Sequence, residues 1–369
     1  MTARVLQFGT SRFLQAHADL FIHEARTGGQ DIGPITVVKT TAGTERAGRV
    51  QAFADPAGFP VRIRGLREGR EVDTTVQVRS VSRALNAHQD WARLMQVFAG
   101  ETELVISNTG ETGYALIPAD WRRPVGVPAG FPAKLLRLLR HRFDHGGAPL
   151  LILPCELVSE NGKVLRAALT ELAEAWGEGA EFLAWLGGSV TICDTLVDRI
   201  VSEALEPIGA VAEPYGLWAI QTQPGMALPF RHPLVTYTDD LTPFLRLKLH
   251  ILNLGHTWLA QLWRADQRPA EETVRQMLAD PVVRGGVMRL YQAEVIPGFA
   301  ARGMEAAAAA YAAQTLERFQ NPFLDHRLSD IAQNHSAKIA RRVAAFVAWV
   351  HEADPGRALP RLDALAQSA

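Results

Sequence analysis

The first half of this chain alternates short runs of β-branched and aliphatic residues with amphipathic stretches, and that alternation leaves few folds open. Strand-like runs at 4–8 and 35–41 each lead into a helical pattern, from about residue 12 and over 44–53. Parallel strands need a crossover, usually a helix, so the pattern predicts a parallel sheet covered by helices. Runs at 59–66 and 72–82 flank Arg67-Glu68-Gly69-Arg70 and read as a hairpin inserted into that scheme. Core strands at 103–107 and 150–154 follow, separated by a helix bearing Leu135, Leu136, Leu138 and Leu139, with a further strand at 189–193. The Pro/Gly-containing segment 206–225 changes the texture, and from about 245 the pattern is helical, over 271–278, 282–295, 305–319 and 328–350. The expected fold class is α/β, with a mostly parallel sheet over 1–205 and a mainly α-helical domain over 206–369.

A chain of 369 residues exceeds one ordinary core, in keeping with two domains. Its 38 basic and 39 acidic residues nearly cancel without forming blocks, which argues against nucleic acid or an anionic membrane as partner and leaves small-molecule chemistry. Cys155 and Cys193 lie in apolar strand-like runs with no CxxC or Cys/His cluster, so they read as reduced core residues, and no metal is expected. No apolar stretch reaches the ~20 residues of a membrane span, and no basic region precedes a long apolar run. The expectation is a cytoplasmic protein, monomeric or a small homo-oligomer.

Polar groups interrupt an apolar helix at Lys248-Leu-His-Ile-Leu-Asn253-Leu-Gly-His256. At about 100° per residue from Lys248, His256 falls near 80° and Asn253 near 140°, among Leu245, Leu252 and Leu259. Arg246, His250, Thr257 and Gln261 remain for a solvent strip. A lysine held among leucines loses solvation, which lowers its pKa and suits it to act as a base. The same spacing is compatible with an amine that reaches the surface and with ordinary core hydrogen bonds from Asn253 and His256.

The first strand ends Val5-Leu-Gln-Phe8, and Gly9-Thr10-Ser11-Arg12-Phe13-Leu14 opens a helix, where a Rossmann-like fold places its phosphate turn. Gly9 fits the first glycine of GxGxxG, while Ser11 and Leu14 stand at the second and third. The acid that usually ends the second strand is missing from Val37-Val38-Lys39-Thr40-Thr41, which leaves NAD against NADP open. Lys39 and Arg46 could approach a 2′-phosphate or be solvated.

Several segments then occur in one order: Phe8-Gly9 with Phe13-Leu14 and Ala16-His17; Ser107-Asn108-Thr109 with Glu111 and Gly113-Tyr114; Pro154-Cys155-Glu156-Leu157 with Asn161-Gly162; Asp194 with Asp198-Arg199-Ile200; Lys248, Asn253 and His256; and Arg318-Phe319 with Asn321-Pro322. The ensemble resembles the long-chain polyol dehydrogenase family, which includes mannitol dehydrogenase, and its wording is nearest to the branch acting on tagaturonate and altronate. The resemblance implies a metal-independent, NAD-dependent oxidoreductase interconverting a keto-sugar acid or ketose and the matching aldonate or polyol. It implies Lys248 as general acid and base, Asn253 and Asn161 as a pair of amides on the reacting oxygen, and His256 on a substrate hydroxyl. Asp198, Arg318 and His326 would bind the substrate, with Arg318 suited to a carboxylate. Phe8, Gly9, Thr10, Ser11, Arg12, Phe13, Leu14, Lys39, Asn108, Thr109 and Glu111 would form the cofactor site. Read singly, Asn161-Gly162 is also a turn, Asp198-Arg199 a surface ion pair, Arg318 a solvated helix end, and Glu111 a cap. Fructuronate or a neutral polyol is the alternative substrate, and a non-catalytic dinucleotide sensor the alternative class.

Overall fold

The computed structural model describes residues 3–43, 47–110 and 112–367. Its strands are β1 (Ala3–Phe8), β2 (Ile32–Lys39), β3 (Phe59–Arg67), β4 (Arg70–Val78), β5 (Val81–Asn86), β6 (Leu104–Ser107), β7 (Leu150–Pro154), β8 (Val190–Ile192), β9 (Thr195–Asp198), β10 (Val201–Ala204), β11 (Ala210–Ala212), β12 (Leu217–Gln221) and β13 (Val235–Thr238). Six of them form one sheet in the order β5-β2-β1-β6-β7-β8, parallel throughout. The strand order reverses between β1 and β6, and the crevice outside the carboxyl ends of such a pair is where doubly wound sheets bind ligands. Leu6, Phe8, Val105 and Ile152 from the sheet pack with Leu135, Leu136, Leu138 and Leu139 of the Phe131–Asp144 helix.

The expected hairpin is present, but its second arm divides. β4 stops at Val78, and β5 pairs in parallel with β2 rather than continuing the hairpin. Segment 206–241, expected on the helical side, instead forms β11, which pairs with β3 and β10, and β12, which pairs with β9 and β13. Three-to-five-residue strands carry too little periodicity to stand out among prolines and glycines.

The chain forms two compact units, one of Met1–Ile63 with Thr74–Leu241 and the other of Arg64–Asp73 with Thr242–Ala369. The division at Leu241/Thr242 differs from the expected boundary at 205/206 because β11 and β12 complete sheets of the first unit. The second unit is helical around a core that includes Ile251, Leu254, Leu259, Leu290, Phe299, Phe346 and Leu362. The helix expected over 328–350 is interrupted at 332–334, where Asn334 adopts a left-handed φ of 53°. The hairpin tip packs within the helical unit: Gly69 N–H donates to Glu317 Oε1 at 2.6 Å. Asn321 Nδ2 donates to the Arg64 carbonyl at 3.3 Å, and the Arg64 guanidinium lies 4.0 Å over the Phe323 ring. Among the described residues no helix is long and apolar enough to cross a membrane.

Candidate active site

In the first unit, β1 leads into Gly9, whose φ is +117°; a Cβ there would sit 2.7 Å from the Asn108 carbonyl oxygen, so only glycine fits. Its N–H donates to the Val38 carbonyl at 3.0 Å, which ties the turn to β2. Ser11 has a structural task that glycine could not perform. Its Oγ caps the following helix by accepting from Leu14 N–H at 3.2 Å and donates to Asn108 Oδ1 at 3.1 Å. Asn108 Nδ2 donates to the Cys155 carbonyl at 2.8 Å, so the turns after β1, β6 and β7 form one hydrogen-bonded chain.

The structure divides the cofactor expectations. Gly9, Thr10, Ser11, Asn108 and Thr109 gather where the strand order reverses, and Arg12 and Phe13 open the next helix with exposed and half-buried side chains. Phe8 and Leu14 are wholly buried, so their side chains pack the core and do not face a ligand. Lys39 is buried, and its amine donates to the Thr41 carbonyl at 3.0 Å and to that of Gly43, occupying it with its own loop. Glu111 and Arg46 lie outside the described residues.

Sequence reasoning quoted Glu156 only as part of a motif, yet its buried carboxylate organises the loop after β6. Oε1 accepts from Thr109 N–H and Oγ1, both at 3.0 Å; Oε2 accepts from Ser107 Oγ at 3.0 Å and Tyr114 OH at 2.6 Å. Burial and the adjacent Glu156 charge push the Tyr114 phenol well above its usual range. Gly113 serves this packing, since a Cβ there would lie 2.0 Å from Thr109 Oγ1.

Asn161 differs from expectation. It is 1% exposed, and its Nδ2 faces the carbonyls of Pro154 at 3.3 Å and of Glu156 and Thr195 at 3.1 Å, while Oδ1 accepts from Thr195 N–H at 2.9 Å. Two amide hydrogens are fully occupied by such a cage, so in this conformation Asn161 joins β7 to β9 and has no donor left for a substrate oxygen. Gly162 is required beside it, because a Cβ would stand 2.4 Å from the Cys193 carbonyl oxygen. Asp198 is buried in β9 opposite Leu217. Nearby, the buried His17 ring bonds the Leu217 carbonyl through Nε2 at 3.0 Å, and burial pulls its pKa down to about 3, so Nε2 carries the donated proton. Arg199 is no surface partner: it donates to the Glu213 carbonyl at 2.8 Å and the Ala16 carbonyl at 2.7 Å from a buried position.

In the second unit, Lys248–Asn253 form a π-helical wide turn between the helices Thr242–Leu247 and Leu254–Ala265. A wide turn inserts about one residue and sets everything after it back by about 100°. On that phase Asn253 moves to about 40° and His256 to about −20° from Lys248, so the three polar groups converge on one line. The structure also corrects the expected solvent strip. His250 and Thr257 are 0% exposed, whereas Leu245, expected inside, is 37% exposed. His250 bonds the Arg342 carbonyl through Nδ1 at 3.0 Å and lies against Phe346.

Lys248 and Asn253 are half-buried, and the side-chain amide of Asn253 hydrogen-bonds to no described residue. His256 is buried, 4.5 Å from the Phe319 ring and 4.8 Å from that of His326 between ring centres. Burial lowers its pKa well below the usual range, and His326, Arg318, Arg342 and Lys338 reinforce the effect, all of them basic groups. His326 is held low chiefly by burial. Arg318 is buried in the last turn of the Glu305–Phe319 helix. Lys338 and Arg342 were not anticipated; burial lowers both, Arg342 to about 10. Their signal was a basic pair four residues apart on a helix, which resembles any solvated face. Among the described residues no group of three or more His, Cys, Asp or Glu could hold a metal ion.

Comparison with known proteins agrees with both units. The mannitol dehydrogenase Rossmann domain matches residues 3–229 and the mannitol dehydrogenase C-terminal domain matches residues 240–358. The altronate oxidoreductase of Halalkalibacterium halodurans is 32% identical over 362 residues, covering 92% of this chain and 69% of the relative. That of Bacillus subtilis is 29% identical over 368 residues, covering 92% of this chain and 73% of the relative. Among solved structures, D-sorbitol dehydrogenase in substrate-free form aligns with a TM-score of 0.79 at 18% identity, over 100% of this chain and 80% of that one. Pseudomonas fluorescens mannitol 2-dehydrogenase, in ternary complex with NAD and D-mannitol, aligns with a TM-score of 0.74 at 19% identity, over 99% of this chain and 78% of that one. With both of its domain models matched in order, the chain belongs to the mannitol dehydrogenase family.

Proposed function

We propose that the protein is an NAD-dependent oxidoreductase that interconverts a keto-sugar acid and the corresponding aldonate, with tagaturonate and altronate as the pair. The carrying observation is the cluster in the helical unit: a half-buried lysine, an amide with open hydrogen-bonding groups and a neutral imidazole, with Arg318, Lys338, Arg342 and His326 acting on that imidazole. Such a basic surround stabilises a carboxylate and offers less to a neutral polyol. The altronate oxidoreductase relatives support the same substrate class.

In the first unit the residues fit a dinucleotide. Gly9 leaves the main chain uncovered by a Cβ, and Ser11 starts a helix whose first N–H groups suit a pyrophosphate. Thr10, Ser11, Arg12, Asn108 and Thr109 would hold it. When bound, NAD supplies the hydride acceptor for oxidation of a secondary alcohol. Lys248 takes the hydroxyl proton in that direction and returns it to the carbonyl oxygen in reduction, so the reading assigns the proton to an amine rather than to metal-bound water. Asn253 donates to the reacting oxygen as charge develops there, an interaction worth roughly 3–4 kcal/mol for one well-placed donor. His256, being neutral, can both donate to and accept from a substrate hydroxyl. Arg318 receives the carboxylate.

Initial rates of NADH and NADPH consumption with tagaturonate, fructuronate and fructose test this reading. A clear preference for NADH and tagaturonate is expected; preference for fructose would move the protein to the neutral ketose class and remove the carboxylate role of Arg318.

A further inference from the structure

The wide turn at Lys248–Asn253 draws hydrogen bonds from outside its own helix. An inserted residue breaks the regular ladder, and a carbonyl left without its partner in a buried helix is costly. Two carbonyls of this turn are served by groups distant in sequence. Tyr291 OH donates at 2.9 Å to the Ile251 carbonyl, which also accepts from Leu254 N–H, and Gly255 admits the hydroxyl, since a Cβ there would lie 2.0 Å from it. At Asn253 the carbonyl accepts from Thr257 Oγ1 at 3.0 Å and from Arg342 Nη1 at 3.3 Å, and the same Arg342 nitrogen donates to Thr257 Oγ1 at 3.1 Å. The guanidinium, the hydroxyl and the carbonyl thus close a triangle behind Asn253, while the Asn253 side chain makes no hydrogen bond to a described residue.

Arg342 is held mainly by main-chain and hydroxyl groups. Among the described residues it has no carboxylate partner, its Nε is buried without a hydrogen-bond partner, and its own carbonyl is taken by His250 at 3.0 Å. An arginine so desolvated is an expensive way to satisfy one carbonyl. A planar donor that reaches two acceptors at once does, however, fix the direction of the peptide carrying the Asn253 side chain.

We propose that Arg342, acting with Thr257, is a positioning residue for the reaction: it holds the Asn253 main chain so that the open amide keeps its aim on the reacting oxygen. The inference rests on the assignment of Asn253 as the donor to that oxygen. Loss of the clamp leaves the amide present but misdirected, and a misplacement near 1 Å can cost on the order of 10²-fold in rate.

The test is a double-mutant cycle on the full chain, read as kcat for NADH-dependent tagaturonate reduction, with NADH affinity and melting temperature measured alongside. Arg342→Met in the wild-type background is expected to lower kcat on the order of 10²-fold while NADH affinity is unchanged. In the Asn253→Ala background the same substitution is expected to cost less than about threefold, because the group it positions is gone. Thr257→Val is expected to reproduce the loss in part and Thr257→Ser to restore it, which keeps the test decisive if Arg342→Met does not fold. Wild-type kcat in Arg342→Met, or its full cost recurring in the Asn253→Ala background, would overturn the positioning role alone. Wild-type kcat in Asn253→Ala would overturn the donor assignment and the inference with it.

Discussion

The turn region of the sheet unit and the wide turn of the helical unit handle polar groups in opposite ways. Around Gly9 and Glu156 the hydrogen bonds are made within the protein: Ser11 to Asn108, Asn108 to Cys155, Glu156 to four donors, Asn161 to a cage of carbonyls. Around Lys248 the main chain is equally well served, by Tyr291, Thr257 and Arg342, but the Asn253 amide is left open. The first arrangement presents a fixed surface of backbone; the second fixes the backbone in order to present side chains. A binding platform is best when nothing in it is unsatisfied, whereas a reactive site needs groups whose satisfaction comes from the substrate.

The sharpest way to break this contrast is Lys248→Ala. It is expected to reduce kcat on the order of 10³-fold while NADH titration by fluorescence gives an unchanged affinity; retained turnover would mean that this cluster is not the reactive one. Gly9→Val works from the other side. Strain at φ +117° and the Asn108 contact are expected to weaken NADH binding roughly 10–100-fold. Calorimetry showing wild-type affinity would remove the turn from the cofactor site.

A smaller effect is expected at Glu156. Glu156→Leu orphans the Thr109 N–H and is expected to cost about 1–3 kcal/mol in urea unfolding. Glu156→Gln should recover most of it, because its amide oxygen can face that N–H while the Ser107 and Tyr114 hydroxyls turn to accept. Equal losses in both variants would show that the network depends on charge rather than on satisfied donors.

The smallest effect concerns Asp19, one of the exceptions to that order in the sheet unit. Both carboxyl oxygens are buried without a close hydrogen-bond partner among the described residues, and burial raises the pKa well above the usual carboxylate range, with Gln7 opposing it more weakly. The folded state therefore keeps a proton that the unfolded chain releases near pH 4. The contribution of Asp19 is fully present below that pH and is lost as pH rises toward the folded-state value. Asp19→Asn, which has no proton to lose, is expected to gain stability on the wild type progressively above about pH 4 in unfolding curves. A constant difference across pH would show that Asp19 is paired.

Much of the sheet unit was legible because its signals are local. Alternating runs mark parallel strands, and Ser11 before an apolar helix start is a cap signal in its own right. The short strands between 206 and 241 were not legible, since they carry little periodicity of their own. In the helical unit the residue types at 248, 253 and 256 pointed to chemistry, but a phase of about 100° per residue spread them over about 140° and sent His250 and Thr257 to solvent. The wide turn that gathers them is sustained by Tyr291 and Arg342, some 40 and 89 residues away, and a helical wheel contains no term for such donors. Asn161 was misread for a related reason: its motif is local, while the carbonyl cage that consumes its amide includes Thr195.

The strap 64–73 gives the helical unit an unusual dependence on time. During synthesis its residues leave the ribosome early, and the groups that receive Gly69 and Arg64 are Glu317, Asn321 and Phe323, near the end of the Glu305–Phe319 helix and just after it. At about 5–20 residues per second the strap waits roughly 12 to 50 seconds for these partners. The helical unit therefore cannot finish folding as a self-contained C-terminal piece.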